Sequence, residues 1–153
     1  MATVVAKLFL QALPDAAFFG EKDYQQVLVV RQLVRDLDIP VRIEMVPTVR
    51  EADGLALSSR NAYLTAEERA IAPKLYATLN EMAVRIQKGS PIAETVAAGE
   101  AALREAGFGS IDYLEVRDPE TLALVEAPGK PARIFAAVHL GKARLIDNLA
   151  VPA

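Results

Sequence analysis

Two short stretches carry the residues best suited to chemistry. "GEKDYQQ", from Gly20 to Gln26, sets a glycine, two carboxylates, an amine and two amides close together. "DGLALSSRN", from Asp53 to Asn61, sets two adjacent hydroxyls beside a guanidinium, after a glycine and a run of small apolar residues. In the first, Gly20 lets backbone come close to a ligand, Lys22 is a compact charge for phosphate oxygens, and Asp23 can accept from ribose hydroxyls. Gln25 or Gln26 can offer an amide to a hydroxyl or carboxylate. In the second, Ser58 and Ser59 offer hydroxyls and backbone N–H groups, and Arg60 adds a forked donor to a polyphosphate. Such a cluster would stabilise negative charge growing on a departing pyrophosphate. Each stretch also has a plain structural reading. Asp23 can cap a helix in a solvated charged loop, and Ser59 or Asn61 can cap a short helix.

The elements that must position these residues follow from periodicity. Thr3 to Leu13 has helical spacing, with Val4, Leu8 and Leu13 in one row, Val5 and Phe9 beside them, and Pro14 and Asp15 as the stop. "AAFFG" reads as a buried strand. From Asp23, Val27, Val30, Val34 and Leu37 recur at spacings of three and four, an amphipathic helix closed by Ile39 and Pro40. "VRIEMVPTV" alternates as a second strand. Strand, helix, strand is a parallel crossover unit, and ligands in open parallel sheets sit beyond the carboxyl ends of the strands. Both polar stretches follow strand ends, which places them on one edge of one sheet and favours a nucleotide site.

A second lobe is expected from Tyr63, dividing the chain into 1–62 and 63–153. Thr65 and Glu68 form a capping box, Pro73 breaks the helical stripe that follows, and Gly89 ends it. Ser90 as N-cap with Pro91 in the first turn opens the next helix, which runs to Gly107. "IDYLEVRD", "TLALVE", "ARIFAAVHL" and "ARLIDNL" then read as an antiparallel meander. The fold class is α/β: a partial Rossmann-like segment followed by an α+β lobe with a small antiparallel sheet. Two parallel strands are rarely left alone, so the pattern predicts that the first half of the nucleotide domain lies outside this chain.

Composition excludes several classes. Net charge is -3 over 153 residues with a sequence pI near 5.2, which is no footprint for nucleic acid. No segment approaches the roughly 20 apolar residues of a membrane span. The absence of cysteine removes disulfides, thiolate metal sites and cysteine nucleophiles, and fits a reducing cytoplasm. The single histidine, His139, lies in a β-rich run and reads as a packed or edge-strand residue. It leaves no histidine-based zinc site, and covalent catalysis is not expected.

The run "FFGEKDYQQVLVVRQLVRDLDIPVRIEMVPTVREADGLALSSRNAYLT", with "ARLIDN" near the C-terminus, closely resembles the pantothenate synthetase (pantoate–β-alanine ligase) family. The resemblance covers essentially the whole chain. It implies condensation of pantoate with β-alanine using ATP and Mg²⁺, through a pantoyl-adenylate and released pyrophosphate, in a cytoplasmic homodimer. Carried over residue by residue, it implies that Gly20, Glu21, Lys22 and Asp23 belong to the ATP site, with Lys22 near phosphates and Asp23 near ribose. Gln26 would bind pantoate, and Val49 would meet adenine through its backbone. Leu57, Ser58, Ser59 and Arg60 would form a phosphate-gripping loop. Leu57 stands where the family usually has methionine, a volume-conserving change. The family's glycine-flanked histidine pair and a second pantoate-binding glutamine have no counterpart here, so no catalytic residue and no metal ligand is assigned in this chain. The fragment alone is expected to be inactive. The competing reading is a noncatalytic nucleotide- or partner-binding domain that kept the fold.

Overall fold

Apolar residues at helical spacing build α1 (Ala2–Ala12), which stops where Leu13 enters the left-handed region and donates its N–H to the Phe9 carbonyl. Pro14 follows, with no N–H to continue the ladder. In the computed structural model, which describes residues 1–152, the chain packs as two units, 1–48 and from Val49 onward.

In the first unit α1 leads into β1 (Ala16–Gly20), a 3₁₀ turn over Glu21–Asp23, α2 (Tyr24–Asp36) and β2 (Arg42–Val46). The strands pair in parallel with Gly20 opposite Val46, so both end on one edge, and α2 supplies the crossover that parallel pairing requires. The core gathers Phe9, Val30, Ile39 and Val41, and Phe9 meets Phe19 edge-on at 6.4 Å. Not every apolar residue spaced along α1 packs on this core. Val4, Leu8 and Leu13 are exposed, whereas Phe9 is buried and Val5 packs beside it. Leu37 is likewise exposed, because the left-handed Asp38 turns the chain and Ile39 takes the core position instead. Phe18 of β1 is 71% exposed on the sheet face opposite this core.

The second unit opens with a narrow ribbon (Val49–Leu57), a 3₁₀ turn over Ser59–Tyr63 and α3 (Ala66–Ile71). The capping box is present: Glu68 N–H donates to Thr65 Oγ1 at 3.2 Å, and Thr65 N–H to Glu68 Oε2 at 2.9 Å. Pro73 separates α3 from α4 (Lys74–Gln87), as the ring requires. Ser90 does not cap α5 (Ile92–Ala106). Its N–H donates back to the Arg85 carbonyl and closes α4, leaving Pro91 as the N-cap without a side-chain bond. Gly99 brings α5 close to Met82 of α4.

β3 (Ile111–Arg117), β4 (Ala132–Leu140) and β5 (Ala143–Val151) form an antiparallel sheet in that order. Its apolar face packs on α4 and α5 around Leu79, Met82, Leu103, Ile134 and Val138. The expected strand "TLALVE" is absent as such and makes only an isolated bridge, Arg117 to Leu124. Asp118 Oδ1 accepts from Glu120 N–H, Thr121 N–H and Thr121 Oγ1, and Leu122 adopts φ 59°. This turn folds the segment back on the end of β3 before a strand can start. Residues 49–62, read from sequence as the end of the first domain, pack here in the second unit, with Leu55 in its core.

Candidate functional site

In the first unit the sequence-selected residues follow the carboxyl end of β1. Gly20 is exposed, and a Cβ built there would meet no atom within 4 Å, so no packing in this chain demands the glycine. Glu21 and Lys22 are half-buried in the 3₁₀ turn, whereas Asp23 and Gln26 are exposed. Asp23 occupies the N-cap position of α2 but makes no side-chain cap bond, so hydrogen-bonded capping does not account for a carboxylate there. Buried Tyr24, Val27 and Val30 anchor α2, leaving Gln25 and Gln26 on its solvent side.

In the second unit the other selected residues share the ribbon. Leu57 N–H donates to the Val49 carbonyl at 2.9 Å and Glu51 N–H to the Leu55 carbonyl at 2.8 Å, while Arg50 bridges Ala56 between them. Alternation then sorts the side chains. Val49 and Leu57 lie opposite one another on the outer face, 61% and 51% exposed, while Ala56 is buried. At the ribbon's tip Gly54 adopts φ +93° and abuts Tyr76 of α4, where a Cβ would lie 2.8 Å from the ring. Beyond Leu57, Ser58 rather than Ser59 or Asn61 caps the 3₁₀ turn, its Oγ accepting from Arg60 N–H at 3.2 Å. Asn61 instead donates its side-chain amide to the Ala56 carbonyl. Ser59 and Arg60 are exposed beside one another.

Two arginines hold this ribbon from opposite directions. Arg69 of α3 donates to Glu51 and Asp53, each at 2.7 Å, near the surface. Its guanidinium, and then the Leu55 N–H, hold the Asp53 carboxyl below its ordinary range. Arg50 turns inward and grips the buried Asp147 of β5 with both terminal nitrogens, at 2.6 and 2.9 Å. Neither Arg50 nor Asp147 was singled out for chemistry by sequence reasoning, although Asp147 lies in the diagnostic "ARLIDN". A pair separated by 97 residues leaves no local signal.

His139 lies on the central strand β4, its Nε2 3.2 Å from Asp112 Oδ1, and Arg144 Nε donates to Asp112 Oδ2 at 2.6 Å. The Arg144 guanidinium and, to a lesser degree, the histidine hold the Asp112 carboxyl below its ordinary range. Among the described residues no three His, Asp or Glu side chains gather as a metal-holding group. No helix is long and apolar enough to cross a membrane among them.

Comparison with known proteins places these stretches in context. The sequence profile described as pantoate-beta-alanine ligase matches residues 1–150. The chain belongs to the pantoate–β-alanine ligase family. It is 58% identical over 151 residues to the pantothenate synthetase of Paramagnetospirillum magneticum, covering 99% of this chain and 53% of that protein. To that of Rhodospirillum rubrum it is 55% identical, over 99% of this chain and 54% of the relative. The chain therefore spans about half the length of the curated relatives it matches. The crystal structure of pantothenate synthetase from Thermus thermophilus superposes with a TM-score of 0.92 at 53% identity, over 99% of this chain and 55% of that one. A pantoate-beta-alanine ligase structure from Francisella tularensis, complexed with beta-gamma ATP and beta-alanine, matches with a TM-score of 0.72 at 34% identity, over 97% of this chain and 48% of that one. The α/β fold class read from the sequence is the family's.

Proposed function

We propose that this chain supplies part of an ATP-dependent ligase that joins pantoate to β-alanine. A pantoate carboxylate oxygen attacks the α-phosphorus of ATP, the bond to pyrophosphate breaks, and pantoyl-adenylate forms. The β-alanine amine then attacks the acyl carbon and AMP leaves. Lys22 and Arg60 offset the charge on the departing pyrophosphate, with Ser58 and Ser59 donating to its oxygens. Asp23 serves the ribose, with Gly20 and Glu21 beside it in the ATP site, Gln26 serves the pantoate, Val49 meets the adenine through its backbone, and Leu57 opens the phosphate-gripping loop. Mg²⁺ would accompany the ATP phosphates; among the described residues no carboxylate set gathers to hold it. Division by descent at 62/63, a homodimer and a cytoplasmic setting belong to the same proposal.

The observation that carries the reading is the Val49–Leu57 ribbon. One backbone bond ties the residue expected at the base to the first residue of the expected phosphate loop, and both side chains are exposed and apolar. Such a pair suits the face of a purine, while Ser59 and Arg60 follow directly. The unused cap position at Asp23 supports the reading further.

The deciding experiment mixes this chain with the separately expressed N-terminal portion of a family relative and measures AMP release. Release that requires both pantoate and β-alanine, with neither part active alone, is the expected result. Two folded parts that associate and yet release no AMP would sink the ligase reading and leave the noncatalytic one.

A further inference from the structure

We propose that Arg50, held by Asp147 and Tyr76, is a positioning residue that fixes the ribbon carrying Val49 and Leu57–Arg60. The proposal rests on the ligase reading for its consequence, but the geometry beneath it is independent. The Arg50 guanidinium meets three separate elements. It forks onto Asp147 of β5, it donates through Nη1 to the Gly54 carbonyl at 3.1 Å, and it lies 3.6 Å from the centroid of the Tyr76 ring. Tyr76 also abuts Gly54, so one aromatic ring backs both the root and the tip of the ribbon.

Only arginine satisfies all three partners at once. Its planar fork matches a carboxylate bidentately, its face stacks on an aromatic ring, and a donor remains for the carbonyl. Lysine keeps the charge and loses the fork and the stacking. Asp147 is equally committed. Its side chain is 2% exposed and it also accepts from Asn148 N–H at 2.8 Å.

The Arg69 clamp on Glu51 and Asp53 does not substitute for this anchor. Those three side chains are 31–43% exposed, and pairs at the surface are screened and contribute little. Arg50 is itself on the inner side of the ribbon, opposite buried Ala56, while Val49 and Leu57 face out. Its effect on a nucleotide therefore passes through the backbone it holds.

Removing one partner of a buried pair strands a charge and can unfold the protein, whereas replacing both with apolar residues often preserves stability. The test accordingly compares the wild-type chain with Arg50→Lys, the double replacement Arg50→Met/Asp147→Leu, and Arg69→Ala. Amide hydrogen exchange is read at Leu57 and Leu55, whose N–H groups close the ribbon and its tip turn, with Phe108 as the reference amide. MgATP affinity is read by titration on the same variants after each is mixed with the separately expressed N-terminal portion of a family relative. Arg50→Lys and the double replacement are expected to speed exchange at Leu57 by about tenfold or more, the loss of one charge-assisted hydrogen bond. Phe108 should stay unchanged, and MgATP should bind about tenfold more weakly. Arg69→Ala should change each by less than about threefold. Unchanged exchange at Leu57 in the folded double replacement overturns the proposal. So does faster exchange with unaltered MgATP affinity. A wild-type mixture that binds no MgATP, with exchange behaving as expected, sinks the ligase reading and leaves Arg50 as the anchor of the ribbon.

Discussion

Glu68 occupies the space where a side chain on Gly141 would begin. A Cβ built on Gly141 would overlap the Glu68 carboxylate at Oε1. The carboxylate cannot swing aside without cost, because its Oε2 accepts the Thr65 N–H that completes the capping box of α3. The start of α3 and the β4–β5 turn are therefore fitted to each other through one glycine, which also adopts φ +54°.

Gly141→Ala should lose about 2–3 kcal/mol of unfolding free energy, adding left-handed strain to a broken cap. Gly89→Ala is the control, since Gly89 has φ +85° and nothing within 4 Å of a built Cβ. It should lose only about 1 kcal/mol, from strain alone. Denaturant unfolding of both variants measures the difference, and equal losses would show that the Glu68 contact contributes nothing.

Asp118→Ala should release the turn that prevents "TLALVE" from becoming a strand. Three donors converge on Asp118 Oδ1, and Thr121 and Glu120 N–H groups hold its carboxyl below the ordinary range. Val125 N–H, which donates to the Val116 carbonyl, should then exchange several-fold faster while the Leu64 and Ala72 amides do not. Uniform acceleration would mean that the whole unit had been weakened.

That turn also shows what a single sequence makes legible. Thr65 with Glu68, Pro73 and Gly107 act within a turn of where they stand, so the start of α3, the break between α3 and α4 and the end of α5 could be read directly. The alternation in "TLALVE" was real, but a carboxylate three residues earlier outweighed it. The exposed row on α1 has the opposite lesson. A helix apolar on several faces does not say which face this chain packs, and Phe9 rather than Leu8 met β1. The polar stretches were visible because loop chemistry is local. The Arg50–Asp147 anchor beneath one of them depends on β5 returning past the ribbon, which no spacing announces.

The Asp53 clamp predicts a pH dependence with a definite sign. Arg69, and then Leu55 N–H, make the carboxyl easier to ionise in the fold than its reference value of 3.8. Its contribution is therefore present above that value and fades as pH falls through the lower folded one. Asp53→Asn should be less stable than wild type at neutral pH, and the two should converge in acid below about pH 4. The gap should be small, because the pair lies near the surface. Urea unfolding between about pH 3 and 7 decides it, and two parallel curves would remove the clamp from the account.

The two serines should separate chemistry from scaffolding. Ser58 Oγ accepts from Arg60 N–H, so Ser58→Ala loses the cap of the 3₁₀ turn as well as a donor to phosphate. Ser59 does not cap that turn and is exposed. In the reconstituted ligase, Ser59→Ala should lower pantoate-dependent AMP release with no change in unfolding midpoint, whereas Ser58→Ala should lower both. Lys22→Ala and Arg60→Ala should each reduce release by about 10- to 100-fold, the loss of a charge-assisted hydrogen bond to the leaving pyrophosphate. Arg60→Lys should fall between wild type and Arg60→Ala, because it keeps the charge and loses the fork. Full activity in Arg60→Ala, with the ribbon's exchange unchanged, would show that this guanidinium does not meet the nucleotide.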